Sequence, residues 1–121
     1  MLDKNMIDFP KVSMDIIVNA GEARNNAVDA IDNLMKGDAQ ASEESLAKAK
    51  ESIKRAHQAQ TEVMQTLAFR EYNEGKEQEN LPMLFIHAQD TIMTIMAEVN
   101  MTEQMIKMYK KLEEEISRCK K

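Results

Sequence analysis

Apolar side chains recur at alternating intervals of three and four residues along most of this chain, and that repeat constrains the fold more than any other feature. It is clearest in the row Leu46, Ala49, Ile53, Ala56, Gln60, Val63 and Leu67. Such intervals place side chains on one face of an α-helix, so this row predicts a helix packed along a bundle. Only 4% of the residues are aromatic while eleven are methionine, which favours a helical interior over a sheet.

The first predicted helix, over about residues 11–36, carries two candidate inner faces. One is a mixed apolar row and the other a row of small side chains: Met14, Ile17, Gly21, Val28, Ile31 and Met35, against Ala20, Ala23, Ala27 and Ala30. The alanine row would let two helices approach closely. Gly37 can end this helix in the left-handed conformation, and Asp38 can cap the second helix, predicted over about residues 39–69.

The segment at about residues 70–80 is too polar to pack, which predicts a mobile loop. Asn80 then offers a helix cap, and Pro82 fits the first turn of a third helix over about residues 82–118. With 121 residues, three glycines and two prolines, the chain is expected to form one domain over residues 1–121. The predicted fold class is all-α, an antiparallel three-helix bundle.

The third predicted helix carries two largely apolar stripes on roughly opposite sides. The stripes are Phe85, Ala88, Ile92, Ile95, Val99, Thr102, Ile106 and Tyr109, and Met83, His87, Asp90, Thr94, Ala97, Met101, Met105 and Met108. The first stripe should face the other two helices. The second has no partner in an isolated bundle, so it predicts self-association through the third helices, unless its methionines complete a thick core.

Charge and hydropathy exclude several classes of function. The net charge is −5 with both signs interspersed, which argues against nucleic acid and anionic membranes as partners. No apolar stretch could span a bilayer or serve as a signal peptide, and the single cysteine, Cys119, allows no disulfide within the chain. We therefore expect a cytoplasmic protein without an organic cofactor.

Inside an apolar run, His87 lies one helical turn before Asp90. Neutral imidazole is a nucleophile near pH 7, although a lone helical histidine is more often structural. Three copies of Asp90 meeting on an axis would repel one another unless they bound a cation, took up protons or reached solvent. Oxygen ligands suit Mg²⁺ or Ca²⁺, and Mg²⁺ is the expected ion.

The motif HAQD at residues 87–90 resembles the active-site signature of the lactose/cellobiose family of enzyme IIA proteins, phosphocarriers of the bacterial sugar phosphotransferase system. Four further segments resemble the family in order and spacing: NAGEAR at residues 19–24, Gly37-Asp38, Ala56-His57 with Gln60-Thr61, and Glu74-Gly75. The resemblance implies a homotrimer built on the third helices, phosphorylation of His87 and a metal held on the axis by Asp90. Gln89 is a supporting candidate. Family members commonly have a second histidine at the position of Thr91, where this chain has a hydroxyl group instead.

The resemblance also implies the partners. The histidine-containing phosphocarrier protein would donate the phosphoryl group, and a cysteine of a cognate enzyme IIB would receive it during uptake of a β-linked disaccharide of the cellobiose, chitobiose or lactose type. Two rival hypotheses stay open: a helical scaffold whose methionine face binds a partner helix, and a metal-dependent hydrolase using His87 and Asp90.

Two other residues are weaker site candidates. His57 lies at the edge of the core row of the second helix, where a hydrogen-bonded structural histidine is the favoured interpretation. Arg24 falls among apolar positions, so it must extend to solvent or pair with an acid, and a contact with phosphate near a neighbouring subunit is a less favoured role.

Overall fold

Three long α-helices make up the described part of this computed structural model, which covers residues 6–75 and 80–120. They are α1 (Phe9–Met35), α2 (Ala39–Glu74) and α3 (Met83–Cys119). No strand occurs among these residues, so the all-α prediction is confirmed. None of the helices in these two ranges is long and apolar enough to cross a membrane.

Side-chain pairs define how the helices run relative to one another. Ser42 on α2 donates to the carbonyl of Ala30 on α1 at 2.7 Å, just across the connecting turn, so these two helices are antiparallel. The ring centroids of Phe9 and Phe85 lie 5.5 Å apart in an edge-to-face arrangement, which brings the beginnings of α1 and α3 together. α1 and α3 are therefore parallel, with α2 running against both.

The turn between α1 and α2 follows the predicted chemistry. Gly37 has a φ of 88°, a left-handed conformation that costs glycine little. The amide of Asp38 donates to the carbonyl of Asn33 at 2.9 Å, which satisfies one of the last carbonyls of α1. The Asp38 carboxylate in turn accepts from the amide of Ala41 at 3.0 Å and caps α2. The predicted reversal at Gly37-Asp38 is confirmed.

The inner face of α1 is the alanine row, with Ser13, Ile16 and Leu34 at its ends. The mixed apolar row, the other candidate, lies largely outside the core, because Met14, Val28 and Met35 are 48%, 53% and 67% exposed. Alanines leave room for the backbones of α2 and α3 to approach α1, and the larger side chains then fit only on the outside. Close packing along this row brings α1 into contact with both other helices.

The end of α2 lies later than predicted, at Glu74 instead of about residue 69. Arg and Glu are good helix formers, and Arg70, placed in a loop by the sequence interpretation, continues the inner face of α2 and is buried. The helix ends where Gly75 adopts a φ of 62°. Most of the remaining predicted loop, residues 76–79, lies outside the described residues.

α3 begins at Met83 after Pro82, whose carbonyl accepts from the amides of Phe85 and Ile86. No side chain caps it, so the prediction of a cap by Asn80 was wrong. The first predicted stripe is the inner face and is buried from Phe85 to Ile106, while Tyr109 beyond it is 38% exposed. The core therefore ends at Ile106, about three and a half turns before the end of α3 at Cys119.

Candidate functional site

His87 lies in the second turn of α3 with its side chain exposed to solvent. Its backbone carbonyl accepts a hydrogen bond from the hydroxyl of Thr91 at 2.8 Å, one turn further along. That bond uses the one hydrogen that Thr91 can donate, so the threonine supports the helix backbone beneath the histidine. The imidazole itself is exposed to solvent in the single chain.

Every member of the second stripe of α3 is exposed, from Met83 to Met108. The methionines are the large apolar part of this surface, with exposed fractions of 79% for Met83, 58% for Met101, 54% for Met105 and 64% for Met108. We call this stripe the outer face of α3. The interpretation that its methionines complete a thick core within the chain was wrong. Such a long apolar surface on a small protein is typical of an interaction site.

Asp90 lies on the outer face, one turn from His87 and exposed. Within residues 6–75 and 80–120, no three His, Cys, Asp or Glu side chains lie close enough to hold a metal ion. A single carboxylate is a weak ligand for a hard cation, which prefers several oxygens. The donor set therefore fits Mg²⁺ only where Asp90 carboxylates of several copies meet.

Gln89, the supporting candidate, lies on a different side of α3. Its side-chain carbonyl accepts a hydrogen bond from the amide nitrogen of Gln60 on α2 at 3.1 Å. Gln60 is only 8% exposed, so its amide is held in place by the surrounding core. At about 100° per residue, Gln89 is about 200° around the helix from His87. The side chains of His87 and Gln89 therefore project from opposite sides of α3 and do not contact each other within one chain.

The sequence interpretation placed Gln60 in the apolar row of α2 and in a segment that resembles the family, but it did not link this residue to Gln89. The sequence did contain a signal for such a link, namely a polar residue in an otherwise apolar row. An amide at a core position must find a hydrogen-bond partner, since leaving it unpaired would cost about 1–3 kcal/mol. A polar residue in an otherwise apolar row therefore points to a facing polar residue, although the row alone could not identify Gln89.

Arg24 on α1 pairs with Glu98 on α3, which confirms that it takes an acidic partner. Its Nε lies 2.9 Å from Oε2 of Glu98 and its Nη2 lies 2.5 Å from Oε1, a two-pronged contact. The hydrogen bonds from Arg24 hold the pKa of Glu98 below its ordinary value, against a smaller opposing effect of burial. Glu98 is about 20° around α3 from His87, so His87 lies on the flank that faces α1.

His57 is exposed on α2, and the part of the chain that the structure describes offers no hydrogen bond to its ring. The prediction of a hydrogen-bonded structural histidine is therefore wrong. Ile53, the core residue one turn before it, is itself only partly buried. A further rotation of about 40° away from that edge places His57 in solvent. The structure brings neither His57 nor Arg24 beside His87.

Comparison with known proteins gives consistent matches over most of the chain. The sequence profile of the family described as "PTS system, Lactose/Cellobiose specific IIA subunit" matches residues 11–110. The lichenan-specific phosphotransferase enzyme IIA component of Bacillus subtilis is 32% identical over 108 residues, covering 89% of this chain and 93% of that protein. The lactose-specific EIIA component of Lacticaseibacillus casei is 33% identical over 107 residues, covering 88% and 90%. A crystal structure of the cellobiose-specific enzyme IIA from Bacillus anthracis superposes with a TM-score of 0.73 at 32% identity, covering 89% and 94%.

Proposed function

The chain belongs to the lactose/cellobiose-specific IIA family of the sugar phosphotransferase system, and from that premise we propose that it is a phosphohistidine carrier whose acceptor is His87. One observation supports this assignment above the others. His87 carries an exposed imidazole on a largely apolar surface, one helical turn before the exposed carboxylate of Asp90. Both residues lie within the part of the chain that the family profile matches. An imidazole so placed can meet the phosphorylated side chain of a partner without unfolding of the carrier.

The proposed reaction is an exchange of one phosphorus bond for another. The lone pair of a neutral ring nitrogen of His87 attacks phosphorus as the P–N bond to the donor's histidine breaks. The donor is the histidine-containing phosphocarrier protein. In the second step, a cysteine thiolate of enzyme IIB attacks and the P–N bond to His87 breaks, which returns a neutral imidazole. The other ring nitrogen of His87 keeps its hydrogen throughout, so neither step requires loss of a proton.

The outer face of α3 is proposed to be the interface of a homotrimer, in which three α3 helices pack around an axis. Methionines suit this task because they are apolar and adapt to one another. Asp90 would then face its own copies across the axis. A divalent cation, most simply Mg²⁺, would neutralise these carboxylates when bound.

The sugar served by the carrier is proposed to be a β-linked disaccharide of the cellobiose, chitobiose or lactose type, taken up into the cytoplasm where the carrier acts. A carrier of this kind passes the phosphoryl group between two protein partners and does not itself bind the sugar. Its own residues therefore act on protein surfaces, and two apolar residues near His87 that lie off the outer face, Leu84 and Ile86, are exposed enough to take part in docking.

The test is the intact mass of the protein after incubation with phosphoenolpyruvate, enzyme I and the histidine-containing phosphocarrier protein. We expect the wild type to gain one acid-labile phosphoryl group per chain. His87→Ala should gain none, whereas His57→Ala should behave as the wild type because it removes a similarly exposed histidine from α2. If the folded wild type gains nothing, the carrier proposal fails and a helical scaffold that binds through the outer face becomes the better account.

A further inference from the structure

Methionine is distributed unevenly between the core and the surface of this protein. The chain has eleven methionines, and all except Met1 lie within the described residues. None of those described belongs to the buried core, whose apolar side chains are alanine, isoleucine, valine, leucine and phenylalanine. Met96 is partly buried against the core, and each of the others is at least 45% exposed. Packing within one chain therefore depends little on methionine, whereas the chemistry of the surface depends on it strongly.

Three of the exposed methionines lie close together on the outer face of α3, and we call them the methionine cluster. Met101, Met105 and Met108 follow one another at intervals of four and three residues, which makes them neighbours along one side of the helix. Met83, the other methionine of this face, lies about 27 Å along the helix from Met101. His87 lies about 20 Å from Met101 in the same direction. A chemical change confined to the cluster therefore leaves the proposed acceptor imidazole unaltered.

An exposed thioether reacts with hydrogen peroxide to give methionine sulfoxide. A lone pair of the sulfur attacks one peroxide oxygen, and the S–O bond forms as the O–O bond breaks. The proton of the transferred oxygen goes to the departing hydroxide, which leaves as water, so the sulfur is oxidised by two electrons and the peroxide is reduced by two. The sulfoxide is polar where the thioether was apolar, and methionine sulfoxide reductases reverse the change.

We propose that the methionine cluster is a reversible modification site, at which oxidation by a peroxide leaves the subunit folded and prevents it from joining its copies. This inference rests on the proposed trimer. In an assembled trimer the outer face would be covered, so the reaction takes place on the separated subunit, whose cluster is exposed. Each sulfoxide brings a polar oxygen into an apolar interface, which weakens association on the order of tenfold for every such group left without a hydrogen-bond partner. Oxidised subunits therefore stay apart, where a reductase can reach them.

Treatment of the whole protein with hydrogen peroxide at two protein concentrations tests the proposal. Dilution far below the dissociation constant, measured beforehand by analytical ultracentrifugation, gives separated subunits, and a concentrated sample gives trimers. After catalase has removed the peroxide, intact mass and peptide mapping locate the added oxygen atoms. Analytical ultracentrifugation then measures the dissociation constant again, and circular dichroism measures the helix content.

In the dilute sample we expect oxygen on all three methionines of the cluster, unchanged helix content and a dissociation constant raised by at least about a hundredfold. In the concentrated sample the cluster should react much more slowly than Met6, which lies before α1 and is 69% exposed. Methionine sulfoxide reductases with a thiol should remove the oxygen atoms and restore the trimer. An oxidised chain that assembles as tightly as before overturns the proposal. So does one that loses its helices, or one that stays apart after complete reduction.

Leucine provides matched variants, because it is apolar and similar to methionine in volume but carries no sulfur. A variant in which all three methionines of the cluster are changed to leucine should form trimers that survive the treatment. A second variant, with Met6→Leu, Met35→Leu and Met64→Leu, removes the same number of exposed methionines elsewhere, and it should dissociate as the wild type does. If the two variants respond alike to peroxide, the effect does not come from the cluster and the proposal is overturned.

Two measurements on untreated protein separate this inference from the proposals on which it rests. An untreated wild type that is monomeric at every accessible concentration overturns the proposed trimer, and this inference with it. An untreated trimer that gains no phosphoryl group overturns the carrier function alone, because the comparison of dissociation constants does not depend on His87.

Discussion

The inner and outer faces of α3 are both largely apolar in sequence, yet within one chain only the inner face is buried. The inner face is built of aromatic, β-branched and small residues, and Phe85, Ala88 and Ile92 are completely buried. The outer face is built largely of methionine, and Met83 and Met108 are more than 60% exposed. Stiff side chains pack in one arrangement, whereas methionine adapts to several. The difference indicates that α3 uses its inner face to fold and its outer face to meet other chains, with His87 and Asp90 placed on the second.

The largest expected effect comes from breaking the inner face. Phe85→Ala removes a buried ring that packs edge-to-face on Phe9, so we expect it to lower the free energy of unfolding by about 3–5 kcal/mol. Tyr72→Ala is the matched truncation of an aromatic residue that is 88% exposed, and it should change stability by less than about 0.5 kcal/mol. Urea denaturation at one fixed protein concentration measures both. Similar losses in the two variants would contradict the assignment of the inner face.

The second effect tests whether the outer face joins subunits. Met101→Glu combined with Met105→Glu places two charges on it, and burying them between copies should cost at least about 2 kcal/mol per interface. We expect the wild type to be a trimer by light scattering and the double variant to dissociate while its helical circular dichroism is retained. Val28→Glu alters an apolar residue on α1 that is 53% exposed, and it should leave the assembly intact. A double variant that stays trimeric would exclude this face as the interface.

The sequence identified both faces of α3 because a period of 3.6 residues appears in any helix whose two sides are apolar. It could not rank the two rows of α1, because Met14 and Val28 are more hydrophobic than alanine. Only the close approach of α2 and α3 makes small side chains the better inner face. The end of α2 was misplaced for a related reason. Arg70 is polar by composition, but it lies on the buried side of a helix that continues to Gly75.

The candidate site was less accessible to sequence reasoning than the fold. His87, Gln89 and Asp90 are nearly consecutive, and a linear motif suggests that they act together. Helical geometry separates them, since Gln89 leaves the flank opposite His87 and hydrogen-bonds with a residue 29 positions away. Tertiary packing decides which residues form such a hydrogen bond between two helices, and the linear sequence does not show it. The same holds for Arg24, whose need for an acid could be predicted while the identity of Glu98 could not.

A third effect concerns Asp90, the carboxylate of the outer face. If three copies share a divalent cation, adding a chelator should weaken the wild-type trimer by about tenfold in its dissociation constant, as the carboxylates lose their neutralising charge. Asp90→Leu should be insensitive to the chelator and should still accept phosphate on His87. Analytical ultracentrifugation with and without Mg²⁺ measures this. A wild type that ignores the chelator, together with a tighter Asp90→Leu trimer, would mean that the carboxylates repel one another without an essential metal.

The smallest expected effect is a change of stability with pH, and it comes from the ion pair between Arg24 on α1 and Glu98 on α3. Arg24 lowers the pKa of Glu98 from its ordinary 4.5, so the folded protein binds this proton less tightly than the unfolded chain does. The resulting stability is present above that ordinary value and is lost as the pH falls through the lower pKa of the folded state. Because 49% of the Arg24 side chain and 41% of the Glu98 side chain are exposed, solvent screens the pair and the effect on the melting temperature should be no more than about 2 °C.

Glu98→Gln should therefore melt slightly below the wild type at pH 7, and the two should converge as the pH falls from 4.5 through the lower pKa of Glu98 in the folded state. Glu62→Gln, which alters an exposed acid on α2, is the control and should show no such convergence. A difference that stays the same at both pH values would assign the effect of Glu98→Gln to packing instead of charge. In that case the contact between Arg24 on α1 and Glu98 on α3 would depend on packing, as the contacts of the core do. Convergence would instead show that the ion pair between Arg24 and Glu98 stabilises the contact between α1 and α3 through charge. The hydrogen bond between Gln60 and Gln89, which joins α2 and α3, is by contrast a contact between neutral groups.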